Sequence, residues 1–113
     1  MVIREWRARA AESNPHGYPS HFRKRVLPEL LQTPGFLGAQ LSKRKVNRDI
    51  EFQVFTQWES IEAIRRFAGS DIEKAVVEPG AVAELLSFDS TVKHYEVIEN
   101  VRRPPEIDGD SLG

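Results

Sequence analysis

Residues 50–58 read Ile-Glu-Phe-Gln-Val-Phe-Thr-Gln-Trp. Ile50, Phe52, Val54, Thr56 and Trp58 alternate with Glu51, Gln53, Phe55 and Gln57. Successive side chains of an extended chain point to opposite faces, so this spacing predicts a strand with one buried and one mixed face. Just upstream, residues 36–45 (FLGAQLSKRK) predict a second strand, with Leu37, Ala39 and Leu41 on one face. The polar run Val46-Asn47-Arg48-Asp49 between them is a hairpin turn, which makes the two strands antiparallel neighbours.

The pattern extends outward on both sides. Residues 2–10 (VIREWRARA) alternate, with Val2, Trp6, Ala8 and Ala10 on one face and Glu5, Arg7 and Arg9 on the other. The turn formers of residues 11–19 end that strand. From Pro19 to Gln32, Tyr18, Phe22, Val26 and Leu30 recur every four residues, with Leu27 and Leu31 beside them, which predicts a helix with one apolar stripe. Pro28 falls inside this stripe and should kink or restart the helix. Thr33-Pro34-Gly35 stops it.

On the other side, Ser60 is a suitable N-cap and Gly69 a suitable stop for a helix with Ile61, Ile64, Phe67 and Ala68 on its buried face. Ser70 or Asp71 is expected to cap a further turn, which Pro79-Gly80 breaks, and Val82, Leu85 and Leu86 to complete a short third piece. Residues 90–98 (STVKHYEVI) predict the last strand. Residues 101–113 are Pro-rich and acidic, a tail expected to lie on a partner subunit or on its own domain. The order β-α-β-β-α-β is the ferredoxin-like split arrangement: an α+β fold with a four-stranded antiparallel sheet and helices on one face. Trp6 and Trp58 then point to the helices. Glu5, Arg7, Gln53, Phe55 and Gln57 are left on a helix-free face of mixed character, which a second chain is expected to cover. The expectation is a homodimer.

A chain of 113 residues holds one core, and there is no cysteine to form a disulfide or a thiolate site. The net charge of −1 argues against a general nucleic-acid binder. Residues 1–50 carry ten Lys/Arg against four Asp/Glu, and residues 51–113 carry six against thirteen. Either the two halves interleave and their charges mix, or complementary patches and a basic cluster at Arg23-Lys24-Arg25 and Lys43-Arg44-Lys45 attract a partner or anion. No apolar run is long enough to span a membrane, and the N-terminus lacks the apolar centre of a signal peptide, so a cytoplasmic location is expected.

Several stretches carry a resemblance. Leu27-Pro28-Glu29-Leu30 followed by Pro34-Gly35-Phe36-Leu37-Gly38 forms a helix-to-strand junction. Phe52-Gln53-Val54-Phe55-Thr56-Gln57-Trp58-Glu59-Ser60 forms a strand and helix cap. Phe67-Ala68-Gly69 and His94-Tyr95-Glu96-Val97 follow. Together they resemble the antibiotic biosynthesis monooxygenase-like domain of the dimeric α+β barrel superfamily. The resemblance covers residues 2–98, so the domain is assigned to residues 1–100 and the tail to residues 101–113. It implies a homodimer with a sheltered pocket in each chain. Some members oxidise aromatic polyketide phenols or quinols without metal, flavin or nicotinamide, because the deprotonated substrate itself reduces dioxygen. Others degrade heme, and others have no known activity.

Three residues are candidates for chemistry under that resemblance. Trp58 matches the family tryptophan and could orient a quinone-like oxygen through its indole N–H, or simply plug the core. His94 could take a phenolic proton near neutral pH, or be held at the sheet edge. Tyr18 could donate to a substrate oxygen, although its spacing to Phe22 also suits core packing. Trp6, Phe22, Val54, Ile64 and Phe67 are the expected pocket walls. Arg65 and Arg66 could reach an anionic substrate edge or form a solvated helix face. His16 and His21 lack helical ligand spacing and no carboxylate completes a pattern with them, so no metal is expected, and the resemblance implies that no cofactor is needed.

The departures from the family pattern are specific. Heme-degrading relatives need a histidine on the helix after the tryptophan, and residues 61–68 have none. They also use an asparagine on the first strand, where this chain reads Arg4-Glu5-Trp6-Arg7. The metal-free oxygenases place an asparagine on the strand before the tryptophan, where Gln53, Val54 and Phe55 stand. The expected function is cofactor-independent oxygenation of a small electron-rich aromatic. The alternative is a non-catalytic dimeric module that binds a small ligand or shapes an assembly.

Overall fold

The computed structural model describes residues 1–105. Strand β1 (Val2–Ala11) leads into a helical stretch of three parts: α1 (Gly17–His21), a π-helical turn (Phe22–Val26) and α2 (Leu27–Gln32). Strands β2 (Phe36–Val46) and β3 (Asp49–Trp58) follow, then α3 (Ile61–Ala68), α4 (Pro79–Val82), β4 (Ser87–Phe88) and β5 (Lys93–Glu96). All strands pair antiparallel in one sheet. β3 lies between β2 and β1, and the short β4 and β5 share the far edge of β1. This is the expected ferredoxin-like arrangement, with its last strand divided in two. The tail assigned to residues 101–113 is described only to Pro105, where it is exposed and without regular structure, and residues 106–113 lie outside the described residues.

Local chemistry accounts for each break. Pro28 has no N–H, and in a continuous α-helix its ring would press on the carbonyl four residues back. The wider π turn ends at Val26, and Pro28 sits in the first turn of α2, where an N–H is not needed. Ser60 caps α3, its Oγ accepting from the Ala63 N–H at 3.2 Å, and Gly69 ends it at φ 87°. Asn47 takes φ 56° in the β2–β3 turn, a conformation asparagine tolerates.

Four expectations change. Residues 70–78 form no helix: a single hydrogen-bonded turn runs from Asp71 to Lys74, where the Lys74 N–H donates to the Asp71 carbonyl at 3.3 Å, and the rest is irregular, tied down by a Lys74–Thr91 bridge. Pro79 begins α4 rather than breaking a helix, since proline suits a first helical turn. The last strand covers Lys93–Glu96 instead of residues 90–98. Leu37 leaves the face of Ala39 and Leu41: a bulge between Phe36 and Gly38 sets Phe36 opposite Trp58 and leaves Leu37 half exposed.

The core is the layer between the sheet and the helices. Trp58, Phe52, Leu30 and Ile64 are its largest fully buried side chains. Trp58 meets Phe36 edge-on at 5.4 Å between ring centroids and Phe67 at 5.7 Å. Its Nε1–H donates to Thr56 Oγ1 at 2.8 Å, so the buried indole is satisfied from its own strand. Gly35, at φ 89°, lets the chain pass close to α3: a Cβ there would stand 2.4 Å from that of Ala63.

Two outcomes follow for stability. Gly35→Ala should lower the unfolding free energy by about 2 kcal/mol or more, seen as a lower urea midpoint at unchanged slope, since it meets both a clash and an unfavourable φ. Thr56→Val should cost about 1–3 kcal/mol by leaving the indole N–H unpaired, and Thr56→Ser should recover most of that. An unchanged midpoint in Thr56→Val would mean the bond contributes nothing.

Candidate functional site

The register of β1 against β3 decides what lies under the helices. Trp6 pairs with Val54 and Arg4 with Thr56, so these four side chains share one patch of the sheet. Above it stand Tyr18 from α1, Val26 from the π turn, Phe67 from α3, Val76 from the irregular segment, and Val92 just before β5. Together they enclose a cavity of about 50 Å³. That is room for a few water molecules and less than the ~150 Å³ in which a benzene ring is accommodated.

Three of the nine lining residues are aromatic and four are valines. Trp6 and Tyr18 stack tilted at 5.5 Å, and Tyr18 meets Phe52 at 5.5 Å. Trp6 Nε1–H donates to the carbonyl of Asp89 at 2.8 Å, which fixes the ring plane. Burial pushes the Tyr18 phenol far above its ordinary pKa, so it stays protonated and can only donate from its O–H or accept at its oxygen.

One charged group faces this space. Arg4 is 5% exposed. Its guanidinium donates to the carbonyls of Ile72 at 2.5 Å and Lys74 at 3.0 Å, and its third contact is His94 Nε2 at 3.0 Å. Burial holds the Arg4 pKa down to about 10. The His94 pKa is lowered by burial and by the charge of Arg4, against a smaller pull upward from Glu73. The neutral imidazole therefore accepts the Arg4 N–H on Nε2. Protonating that nitrogen would break the bond and set two cations side by side.

The candidate residues fall into two groups. Tyr18, Trp6, Val54 and Phe67 line the cavity directly. Trp58 does not: it is fully buried and stands behind Thr56 and Phe67, both of which line the cavity. His94 stands behind Arg4. Phe22 and Ile64 belong to the surrounding core. Arg65 and Arg66 lie exposed on α3, Arg65 pairing with Glu62 and Arg66 donating to the carbonyl of Pro34. Arg4 and Thr56 were not among the candidates. Their signal was present: each is a polar residue at an even-numbered position in an otherwise apolar alternation, Val2-Trp6-Ala8-Ala10 and Ile50-Phe52-Val54-Trp58.

The opposite face of the sheet is mixed, as its sequence implied. Arg7 Nε meets Glu5 at 2.9 Å, and Glu51 receives Arg44 at 3.0 Å and Arg7 at 3.8 Å. The hydrogen bond from Arg44 is the main reason the Glu51 carboxyl is held below its usual range. At one end Ile3, Leu37, Gly38, Phe55 and Gln57 border a hollow that Arg102 of the tail also touches. Among the described residues no group of three or more His, Cys, Asp or Glu stands together as a metal would need. No helix among them is long and apolar enough to cross a membrane.

Comparison with known proteins bears on this fold. A Bacillus cereus protein assigned as an antibiotic biosynthesis monooxygenase superposes with a TM-score of 0.64 at 21% identity, covering 93% of this chain and 98% of its own. SnoaB, a cofactor-independent oxygenase from Streptomyces nogalater, gives 0.54 at 17% identity, with 93% and 98% covered. The heme-degrader MhuD from Mycobacterium tuberculosis, with two hemes in its active site, gives 0.51 at 25% identity, with 90% and 100% covered. No curated protein matches the chain. The residues do not fit a heme iron held from the helix after the tryptophan: α3 offers no imidazole. The family model for antibiotic biosynthesis monooxygenase matches residues 1–79, and with the fold it shows that this chain belongs to the antibiotic biosynthesis monooxygenase family.

Proposed function

We propose that the protein is a cofactor-independent monooxygenase of a small electron-rich aromatic, a polyketide phenol or quinol, acting as a homodimer in the cytoplasm. The observation that carries this reading is a mainly apolar cavity with three aromatic side chains, Trp6, Tyr18 and Phe67, in its wall and one buried cation at its edge. Flat walls suit a ring, and a positive charge in a dry site favours the anion that must form before dioxygen is reduced. For a phenol that reacts through its keto tautomer, as an anthrone does, the ring CH2 becomes C=O. One oxygen atom enters the product, and the other leaves as water with the two hydrogens. The electrons come from the substrate, so no metal, flavin or nicotinamide takes part.

Within this reading Tyr18 donates to a substrate oxygen from the cavity wall, and Trp6, Val54 and Phe67 clasp the ring. Trp58 acts through Thr56, and Phe22 and Ile64 support the walls from behind. His94 keeps Arg4 in place. Its role as the proton acceptor, the other reading of this residue, is opposed by the bond its Nε2 already makes. Residues 1–100 form the working domain, and the tail from residue 101 packs on a partner subunit or wraps its own domain. The mixed sheet face supports a second copy as its cover rather than nucleic acid.

The small cavity favours a second reading, a non-catalytic dimeric module that binds a small ligand or only shapes an assembly. Oxygen uptake separates the two. A panel of anthrones and hydroquinones without added cofactor should give consumption above a heat-killed control, lowered about tenfold or more in Trp6→Ala. No uptake from any of them sinks the oxygenase. Sedimentation at micromolar concentration should give a dimer, and a stable monomer would remove that part.

A further inference from the structure

An arginine side chain carries donors only. The 3.0 Å contact between Arg4 and His94 Nε2 therefore runs one way: Arg4 donates, and that nitrogen holds a lone pair. The imidazole is neutral, with its proton on Nδ1. The same terminal nitrogen of Arg4 donates to the Ile72 carbonyl at 2.5 Å, and the other one to the Lys74 carbonyl at 3.0 Å. Arg4 is thus a peg on which two separate pieces of chain hang, the segment 70–78 and strand β5.

The segment on this peg is lightly held. No residue of 70–78 is fully buried, and Val76, its contribution to the cavity wall, is half exposed. Besides the two Arg4 bonds, it is tied by the Ala75 N–H to the Ser90 carbonyl at 2.9 Å and by the Val92 N–H to the Glu73 carbonyl at 2.8 Å. An element with few buried side chains opens at low cost. A proton on His94 Nε2 takes the acceptor from one Arg4 N–H and sets an imidazolium against it. A buried donor without an acceptor is costly, so the guanidinium must turn toward water. That turn takes its other donors off Ile72 and Lys74.

We propose that Arg4, His94 and segment 70–78 form a proton-operated latch over the cavity. With His94 neutral, the guanidinium pins the segment and the cavity stays shut at about 50 Å³. With Nε2 protonated, the guanidinium turns away, the segment lifts off residues 90–92, and Val76 leaves the wall. The latch concerns the wall and not what enters, so it stands or falls apart from the oxygenase reading.

The charges around the ring set the direction. Burial and the charge of Arg4, on β1, lower the His94 pKa, and Glu73, on the segment itself, pulls it upward by less. Asp71 and Lys74, also on the segment, are exposed. On β5, Glu96 shares the face of His94, while Lys93 and Tyr95 point to the other face. Tyr18 of α1, which borders the cavity with Arg4, stays neutral. The closed form thus holds the ring below its ordinary pKa, and the open form releases it. Pinning is complete above the ordinary histidine value and is lost as pH falls from there through the lowered one.

Amide hydrogen exchange reads the latch at Ala75 and Val92, whose N–H groups bridge the segment and residues 90–92. Corrected for the intrinsic effect of pH on exchange, their protection should fall about tenfold or more between about pH 7.5 and about pH 5, while Phe52 and Val54 of β3 stay protected. The midpoint should coincide with the titration of the His94 ring followed by NMR. His94→Gln keeps an acceptor for Arg4 and takes no proton, so its protection should be equal at both ends of the range. Glu73→Gln removes the upward pull on the ring and should move both midpoints to lower pH together. Protection that persists once His94 is protonated, a His94→Gln protein that loosens in step with the unaltered one, or β3 amides that exchange along with Ala75 and Val92 would each overturn the proposal. If His94→Gln does not fold, the coincidence of the midpoints and their joint movement in Glu73→Gln decide.

Discussion

Strand β3 is hydrogen-bonded on both sides, and its pleat therefore dictates the facing of two neighbours at once. Once Trp58 and Phe52 turn toward the helices, register puts Trp6, Arg4 and Ala8 of β1 on the same side, with Phe36, Ala39 and Leu41 of β2. A slip of one residue would send Ile50, Phe52, Val54 and Trp58 to the open face and bring Glu51, Gln53 and Gln57 into the core with Phe55. The cost of that exchange locks the sheet, and with it the floor of the cavity. Above the floor the helices have little freedom. α3 must pass close enough for Ala63 to abut Gly35, and the π turn before Pro28 must bring Val26 and Phe22 over β3.

The same lock creates an electrostatic anomaly among the described residues. Arg4 sits at a position whose neighbours two residues away on either side, Val2 and Trp6, face the core. Register therefore drags a guanidinium under the helices whether or not an anion meets it there. The chain responds with neutral acceptors: two carbonyls from the segment between α3 and α4, and an imidazole from β5 that burial keeps uncharged. Geometry is thereby satisfied while charge is not. The two faces of one sheet thus treat their arginines oppositely, with cross-strand carboxylates on the open side and backbone dipoles on the covered side.

Much of this was legible before any coordinates. The alternation of residues 50–58, the four-residue stripe from Tyr18 to Leu30 and the Ser60 to Gly69 punctuation each state a period and a boundary that local physics enforces. Residues 70–78 were misread because a few apolar side chains beside a capping residue look alike in a helix and in a single turn that runs into an irregular segment held by distant carbonyls. Leu37 was misplaced because a bulge adds a residue to one strand without leaving a mark in the alternation.

Sequence alone determined the order of elements, the buried face of each and the family motif from Phe52 to Ser60, since those depend on neighbours within a few residues. It also placed Trp6, Val54, Phe67 and Tyr18 among apolar positions. Tertiary structure decided which of these share a space. It set Trp58 behind Thr56, closed the Nε2 of His94 with Arg4, and brought together Arg4, Ile72 and Lys74, about seventy residues apart in the chain. The reason is that a hydrogen-bond partner or a missing counter-charge is a property of proximity, and proximity between distant segments exists only after the sheet has chosen its register.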